Sequence, residues 1–129
     1  MFSLSYSKKV LALLKNPKNM GKIKKPDGVA TVGNPVCGDV MRLYIKVGKK
    51  GEEEYLKEVK FQTLGCPAAI GTSSILTEMA KGKTLSKANK ITEKQVIEKL
   101  GGLPEVKHHC SVLAVKGLKS AIKDYRKGT

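Results

Sequence analysis

Two segments of alternating apolar and polar residues, divided by a short Gly/Lys stretch, constrain this fold more than any other feature of the chain. From Asp39 to Val47, the residues Met41, Leu43, Ile45 and Val47 share one side, with Arg42, Tyr44 and Lys46 between them. Side chains of a strand point alternately to its two faces, so this period predicts a half-buried strand. The alternation resumes from Tyr55 to Thr63, with Tyr55, Val59, Phe61 and Thr63 on one side. Gly48-Lys49-Lys50-Gly51-Glu52 lies between the two runs and reads as a turn, which makes the pair an antiparallel hairpin. The segment from Gly28 to Val32 offers a third strand.

After Cys66 the period becomes helical. Pro67 suits a first helical position, and Ala68, Ala69, Ile70, Ile75, Leu76, Met79 and Ala80 follow as far as Gly82. Thr92-Glu93-Lys94-Gln95 has the form of a capping box opening a helix to Leu100, which Gly101-Gly102 stops. A last helix is expected from about Cys110-Ser111, with Leu113, Leu118, Ile122 and Tyr125 at helical spacing. Ahead of the hairpin, Val10, Leu11, Leu13 and Leu14 predict a short amphipathic helix over 7–15, ended by Asn16-Pro17, and 22–36 reads as a long loop. Helix, sheet, then helices implies an α+β class, a two-layer domain with helices on one face of the sheet.

A length of 129 residues fits one domain, 1–129, large enough to bury a core without disulfides. That core is aliphatic, because the chain has no Trp and only Phe2 and Phe61 as Phe. Lys plus Arg number 25 against 11 acidic residues, a formal net charge of +14, and Arg42 and Arg126 are the only arginines. Such a surface draws acidic partners. The scarcity of arginine and aromatic residues weighs against nucleic acid, whose bases are read by such side chains. No apolar run reaches the ~20 residues needed to span a bilayer, which weighs against a membrane protein. The start, Met1 to Tyr6, lacks the basic-then-apolar order of a secretory signal, so a cytoplasmic location is expected.

Cysteine placement carries the chemistry. Cys37, Cys66 and Cys110 are odd in number, so they cannot all pair within one chain. Each falls where a loop meets an element: Cys37 in Pro35-Val36-Cys37-Gly38-Asp39 before a strand, Cys66 where a strand hands over to a helix, Cys110 at the mouth of the last helix. Helix N-termini favour anions, and the thiolate is the form that attacks and binds metal. Gly38 and Gly65 leave room for a bulky inorganic group. Thiolate and imidazole suit zinc, iron and iron–sulfur clusters, and a [2Fe–2S] cluster takes four ligands. Three cysteines leave one place, which either His109 or Asp39 can fill. The blander readings are a buried apolar role for each cysteine, a turn role for Asp39 and surface positions for His108 and His109. Neighbouring histidines do not share a face, so one of the two at most is a ligand.

These motifs, taken in order, resemble the IscU/NifU-type iron–sulfur cluster assembly scaffolds. The likeness runs through Asn16-Pro17-Lys18-Asn19-Met20-Gly21, Gly33-Asn34-Pro35-Val36-Cys37-Gly38-Asp39-Val40-Met41, Phe61-Gln62-Thr63-Leu64-Gly65-Cys66 with Ala69-Ile70 and Ser73-Ser74, and Leu103 to Ala114. The resemblance implies a sandwich of a three-stranded antiparallel sheet and several helices. It implies a non-enzymatic scaffold that takes sulfur from a cysteine desulfurase, combines it with iron and passes the cluster to apo-protein acceptors. Zinc is implied as an occupant of the cluster-free site. A shallow site facing solvent invites a second chain, so a homodimer bridged by the cluster is one expected assembly.

Cys37, Cys66, Cys110 and His109 match the ligand positions, Asp39 the aspartate tied to iron entry and cluster release, Lys107 a lysine of the same constellation, and Cys110 the sulfur acceptor. Glu105 stands where the bacterial form has a second proline, which weighs against a dedicated DnaK-class chaperone partner. The interval from Cys66 to Cys110 lacks the insertion of the zinc-dependent SufU-type sulfurtransferases, the alternative branch. An additional C-terminal domain of the NifU kind is not expected.

Overall fold

The computed structural model describes residues 7–34, 39–64 and 67–127. The chain opens with α1 (Lys8–Lys15), whose N-cap Ser7 accepts from the Val10 amide through its side chain. The capping replaces a partner that the first helical amides lack. Three strands follow, β1 (Gly28–Asn34), β2 (Asp39–Lys50) and β3 (Glu53–Thr63), paired antiparallel in the order β1-β2-β3. Then come α2 (Pro67–Ala80), α3 (Leu85–Ala88), α4 (Glu93–Lys99), a 3-10 turn (Glu105–Lys107) and α5 (His108–Lys127). This is the α+β sandwich expected, with a three-stranded antiparallel sheet under helices. No described helix is long and apolar enough to cross a membrane.

Several boundaries differ from the sequence expectation. The strands run on through most of the anticipated turn, because Gly51 alone supplies the left-handed conformation (φ 64°) that the reversal needs. On β3 the expected face is wrong at one end. Lys46 pairs with Glu58 and Val47 with Leu56, so Lys57 is an extra residue and the parity of the strand flips there. Leu56, not Tyr55, therefore joins Val59 and Phe61 in the core. Tyr55 lies instead against Gly48, where an added Cβ would meet its ring. The last helix begins at His108 rather than at Cys110, and α3 was not anticipated. The capping box at Thr92 and Gln95 is formed as expected.

The core lies between the sheet and the helices. Met41, Leu43 and Ile45 of β2, Val59 and Phe61 of β3, Leu76 of α2 and Leu118 and Ile122 of α5 are buried together. Close approach of α5 to the sheet depends on two glycines. A Cβ on Gly28 would collide with the Ala121 carbonyl oxygen, and one on Gly117 with the Met41 methyl. At the far end of α5, Tyr125 donates its phenolic hydroxyl to the Glu54 carboxylate, which holds the Tyr125 pKa above its usual value. α2 is a buried helix of small residues. Thr72 and Thr77 donate their hydroxyls to the carbonyls of Ala68 and Ser73, each at 2.8 Å, which satisfies both donors within the helix.

The segment after α1 has a structural task that its sequence signature did not disclose. Asn19 adopts φ 59°, and its side-chain amide donates to Thr77 Oγ1 (3.1 Å) and to the Glu78 carboxylate (2.9 Å). Its carbonyl accepts from the Phe61 amide (3.0 Å), and the Gly21 amide donates to the Phe61 carbonyl (2.8 Å). The segment thus covers the free edge of β3, which would otherwise present unpaired backbone groups. Asn tolerates the left-handed region better than most residues. We therefore expect Asn19→Ala to cost about 2 kcal/mol, from a strained backbone and two lost hydrogen bonds. Urea unfolding followed by circular dichroism measures it, and a loss within error of zero would contradict this role.

Candidate functional site

The direction of α5 decides what its N-terminus meets. Gly117 faces Met41 and Val32, and one turn later Ala121 faces Gly28, the partner of Ile45. α5 therefore runs in the same sense as β2, and its first turn lies toward the Asp39 end of that strand. Asn34 and Asp39 are register partners at this end, and Cys37 falls in the stretch between them. At the same end Leu64 donates its amide to the Val40 carbonyl (3.1 Å) as β3 finishes. Cys66 falls between Leu64 and Pro67, the first residue of α2. Cys37 and Cys66 lie outside the described residues; the elements flanking them converge on one end of the sandwich.

Cys110 is the third residue of α5 and is buried, 2% exposed, against Ala68 and Ala69 of α2 with Leu103 beside them. These alanines follow directly on Cys66 and Pro67, so the packing links the α5 start to the α2 start. The positive end of the helix favours negative charge at this position. His109 Nε2 lies 3.6 Å from Cys110 Sγ. This is contact range for sulfur and leaves the imidazole half-buried at the surface of the site.

The neighbouring histidine is spoken for. His108 Nε2 donates to the Leu103 carbonyl across 2.9 Å, which holds its ring on the 103–105 stretch. Sequence reasoning allowed at most one of the pair as a ligand; of the two, His109 is the one whose ring lies against the Cys110 sulfur. The Lys107 amide donates to the Pro104 carbonyl (2.8 Å) and closes the 3-10 turn that leads into α5. Ser111, fully buried, donates its hydroxyl to the His108 carbonyl (2.7 Å) and ties down the first turn. The sequence reading did not single out Ser111, although a hydroxyl directly after a helix start is a recognisable signal for such a clamp. Asp39 opens β2. Among the described residues no group of three His, Cys, Asp or Glu side chains is placed to hold a metal ion. One thiol and one imidazole are brought together there; Cys37 and Cys66 are the other expected thiolates.

On the opposite face of the sheet, next to this end, Met20, Val40, Arg42 and Leu64 line a cavity of about 500 Å³. Arg42 Nε donates to Thr31 Oγ1 within it (3.0 Å).

Comparisons with known proteins agree with the architecture. The NifU-like N terminal domain profile matches residues 5–129. The chain is 58% identical over 120 residues to the iron-sulfur cluster assembly scaffold protein IscU 1 of Archaeoglobus fulgidus, covering 93% of this chain and 76% of that one. It is 47% identical over 126 residues to the iron-sulfur cluster assembly scaffold protein IscU of Azotobacter vinelandii, covering 95% of each. The crystal structure of a nitrogen-fixing NifU-like protein, N-terminal part, from Brucella abortus superposes with a TM-score of 0.71 at 16% identity, covering 95% of each chain, a likeness of fold. With the profile matching nearly every residue and such identity to curated relatives, the chain belongs to the NifU-like N-terminal domain family.

Proposed function

We propose that this protein is a scaffold on which an iron–sulfur cluster is assembled, a non-enzymatic carrier that then gives the cluster to apo-proteins. The observation that supports it most is the Cys110–His109 pair at the end of the sandwich where the elements flanking Cys37 and Cys66 meet, in a chain 58% identical to a curated scaffold. Iron and sulfide are the cargo. The cluster is [2Fe–2S], bound by Cys37, Cys66 and Cys110 with His109 as fourth ligand, a set that matches the soft and borderline donors such a cluster takes. Zinc fits the same donors in the cluster-free protein.

Sulfur comes from the persulfide of a cysteine desulfurase. The Cys110 thiolate attacks the outer sulfur, the desulfurase sulfur leaves as thiolate, and Cys110 carries the persulfide. His109 is close enough to take the Cys110 proton, and Lys107 adds positive charge near the developing anion. Two electrons from an external reductant and a proton then release hydrosulfide and restore the Cys110 thiolate. Asp39 assists iron entry and keeps the site labile, because a carboxylate is a harder and weaker partner for the cluster than a thiolate. A cluster shared between two chains gives a homodimer.

The test is anaerobic reconstitution with iron, cysteine and a desulfurase, followed by visible absorption and analysis of iron and sulfide. Brown protein with equal iron and sulfide is expected. A colourless protein that keeps one zinc and accepts sulfur on Cys110 would mean a zinc-dependent sulfurtransferase of the SufU kind instead. Asp39→Ala is expected to hold its cluster several-fold longer than wild type when challenged with a chelator, since the carboxylate that competes with the ligands for iron has been removed. Faster loss than wild type would remove Asp39 from the release step.

A further inference from the structure

The lysine excess is not evenly spread. Lys83, Lys87, Lys90 and Lys99 surround a groove of about 670 Å³ whose floor is made by Met79 and Ile91. All four lysines are exposed, and none forms an ion pair or a side-chain hydrogen bond among the described residues. Glu98 is the acidic residue of the lining. Like charges gathered around one concavity repel each other, so the arrangement costs stability unless an anion offsets it.

The platform is firm. Thr84 caps α3 by accepting from the Lys87 amide, and the capping box of Thr92 and Gln95 fixes the start of α4. Leu85, Ala88, Ile91 and Val96 anchor both helices in the core. The groove lies at the C-terminal end of α2, whereas the candidate site lies at its N-terminal end. Fourteen helical residues separate the two ends, a length of about 20 Å. A partner seated in the groove leaves the site clear.

Two chemistries could offset this charge. Nucleic acid is disfavoured by what lines the groove. It offers no aromatic ring for base stacking and no guanidinium for bidentate phosphate contacts, Arg42 and Arg126 being elsewhere in the chain. The aliphatic floor has a different use. Methionine adapts its shape to an incoming apolar side chain, and lysine stems add further apolar surface below the charged heads. Lysine walls over a Met–Ile floor are complementary to a segment with carboxylates flanking an aliphatic stripe, the pattern of an acidic amphipathic helix laid into a groove. We propose that this groove docks an acidic amphipathic segment of a partner protein. The docking does not depend on cluster assembly at the other end of α2.

The probe is a fluorescein-labelled peptide of about 16 residues, Glu on one helical face and Leu on the other, long enough to form helix on binding. Controls are a scrambled peptide of the same composition and a single-stranded RNA. Binding is read by anisotropy and by amide shifts of the labelled protein. The amphipathic peptide is expected to bind and to move the Met79 and Ile91 resonances. Exposed charge pairs are individually weak, so the combined reversal Lys83→Glu, Lys87→Glu, Lys90→Glu is expected to weaken binding about tenfold with a melting temperature no lower than that of wild type. Met79→Ala, which keeps every charge, should weaken it several-fold, and added salt should weaken wild type and not the reversed variant. Equal affinity for the scrambled peptide with Met79 and Ile91 unmoved, displacement of the peptide by RNA at lower concentration, or indifference to the charge reversal would each overturn the proposal.

Discussion

Cys110→Ser is expected to leave a folded protein that cannot retain iron and sulfide. The thiol is 2% exposed against Ala68, Ala69 and Leu103, so the change swaps sulfur for a smaller hydroxyl in a packed pocket. The fold should lose about 1–2 kcal/mol, the cost of burying a hydroxyl with imperfect partners. The chemistry loses far more. A serine hydroxyl stays protonated at neutral pH and is a poor ligand for iron bridged by sulfide. Even outer-shell changes at metal sites cost about 10- to 100-fold, so a removed ligand should leave less than a tenth of the wild-type cluster after reconstitution. The readouts are colour, iron and sulfide, with a thermal melt beside them. His109→Ala tests the proposed fourth ligand: loss of colour as complete as in Cys110→Ser supports imidazole ligation. A Cys110→Ser protein with full iron, sulfide and colour would show that this thiol is a core residue and nothing more.

Phe61→Ala should produce the largest loss of stability of any single truncation. Phe61 is fully buried, pairs with Leu43 across β2, and has its backbone bonded on the other side to Asn19 and Gly21. Its ring fills space between the sheet and the helices in a chain with no other described Phe and no Trp. Truncating a buried Phe to Ala costs about 3–5 kcal/mol. Domains of this kind hold only about 5–15 kcal/mol in all. The melting temperature should fall by about 10–20 °C. Phe61→Leu, which conserves most of the volume, should cost less than about 1.5 kcal/mol. A small effect of Phe61→Ala would mean that neighbouring side chains collapse into the space.

What the sequence determined by itself was whatever depends on local period and local chemistry. Alternation from Asp39 to Val47 placed Met41, Leu43 and Ile45 on the buried face, because each residue of a regular strand flips sides. The Thr92–Gln95 capping box and the Gly101-Gly102 stop bounded α4 correctly, because caps act within a single turn. The residues of the candidate site were legible as types at element junctions, and the order of the motifs identified the family.

The tertiary structure decided everything that depends on residues distant in the chain. One extra residue at Lys57 reversed the expected face at Tyr55 and Leu56, since a bulge shows only when a strand is laid beside its partner. The task of Asn19 needed α2, to which its side chain is bonded across 58 positions. The bond of His108 to the Leu103 carbonyl and the place of His109 beside the Cys110 sulfur are contacts that only the folded start of α5 supplies. Twenty-five basic residues gave the charge of the chain, but only the folding of α3 and α4 against the end of α2 gathered four lysines around one groove. Period and composition are properties of neighbours in the chain, whereas a site or a groove is a property of neighbours in space.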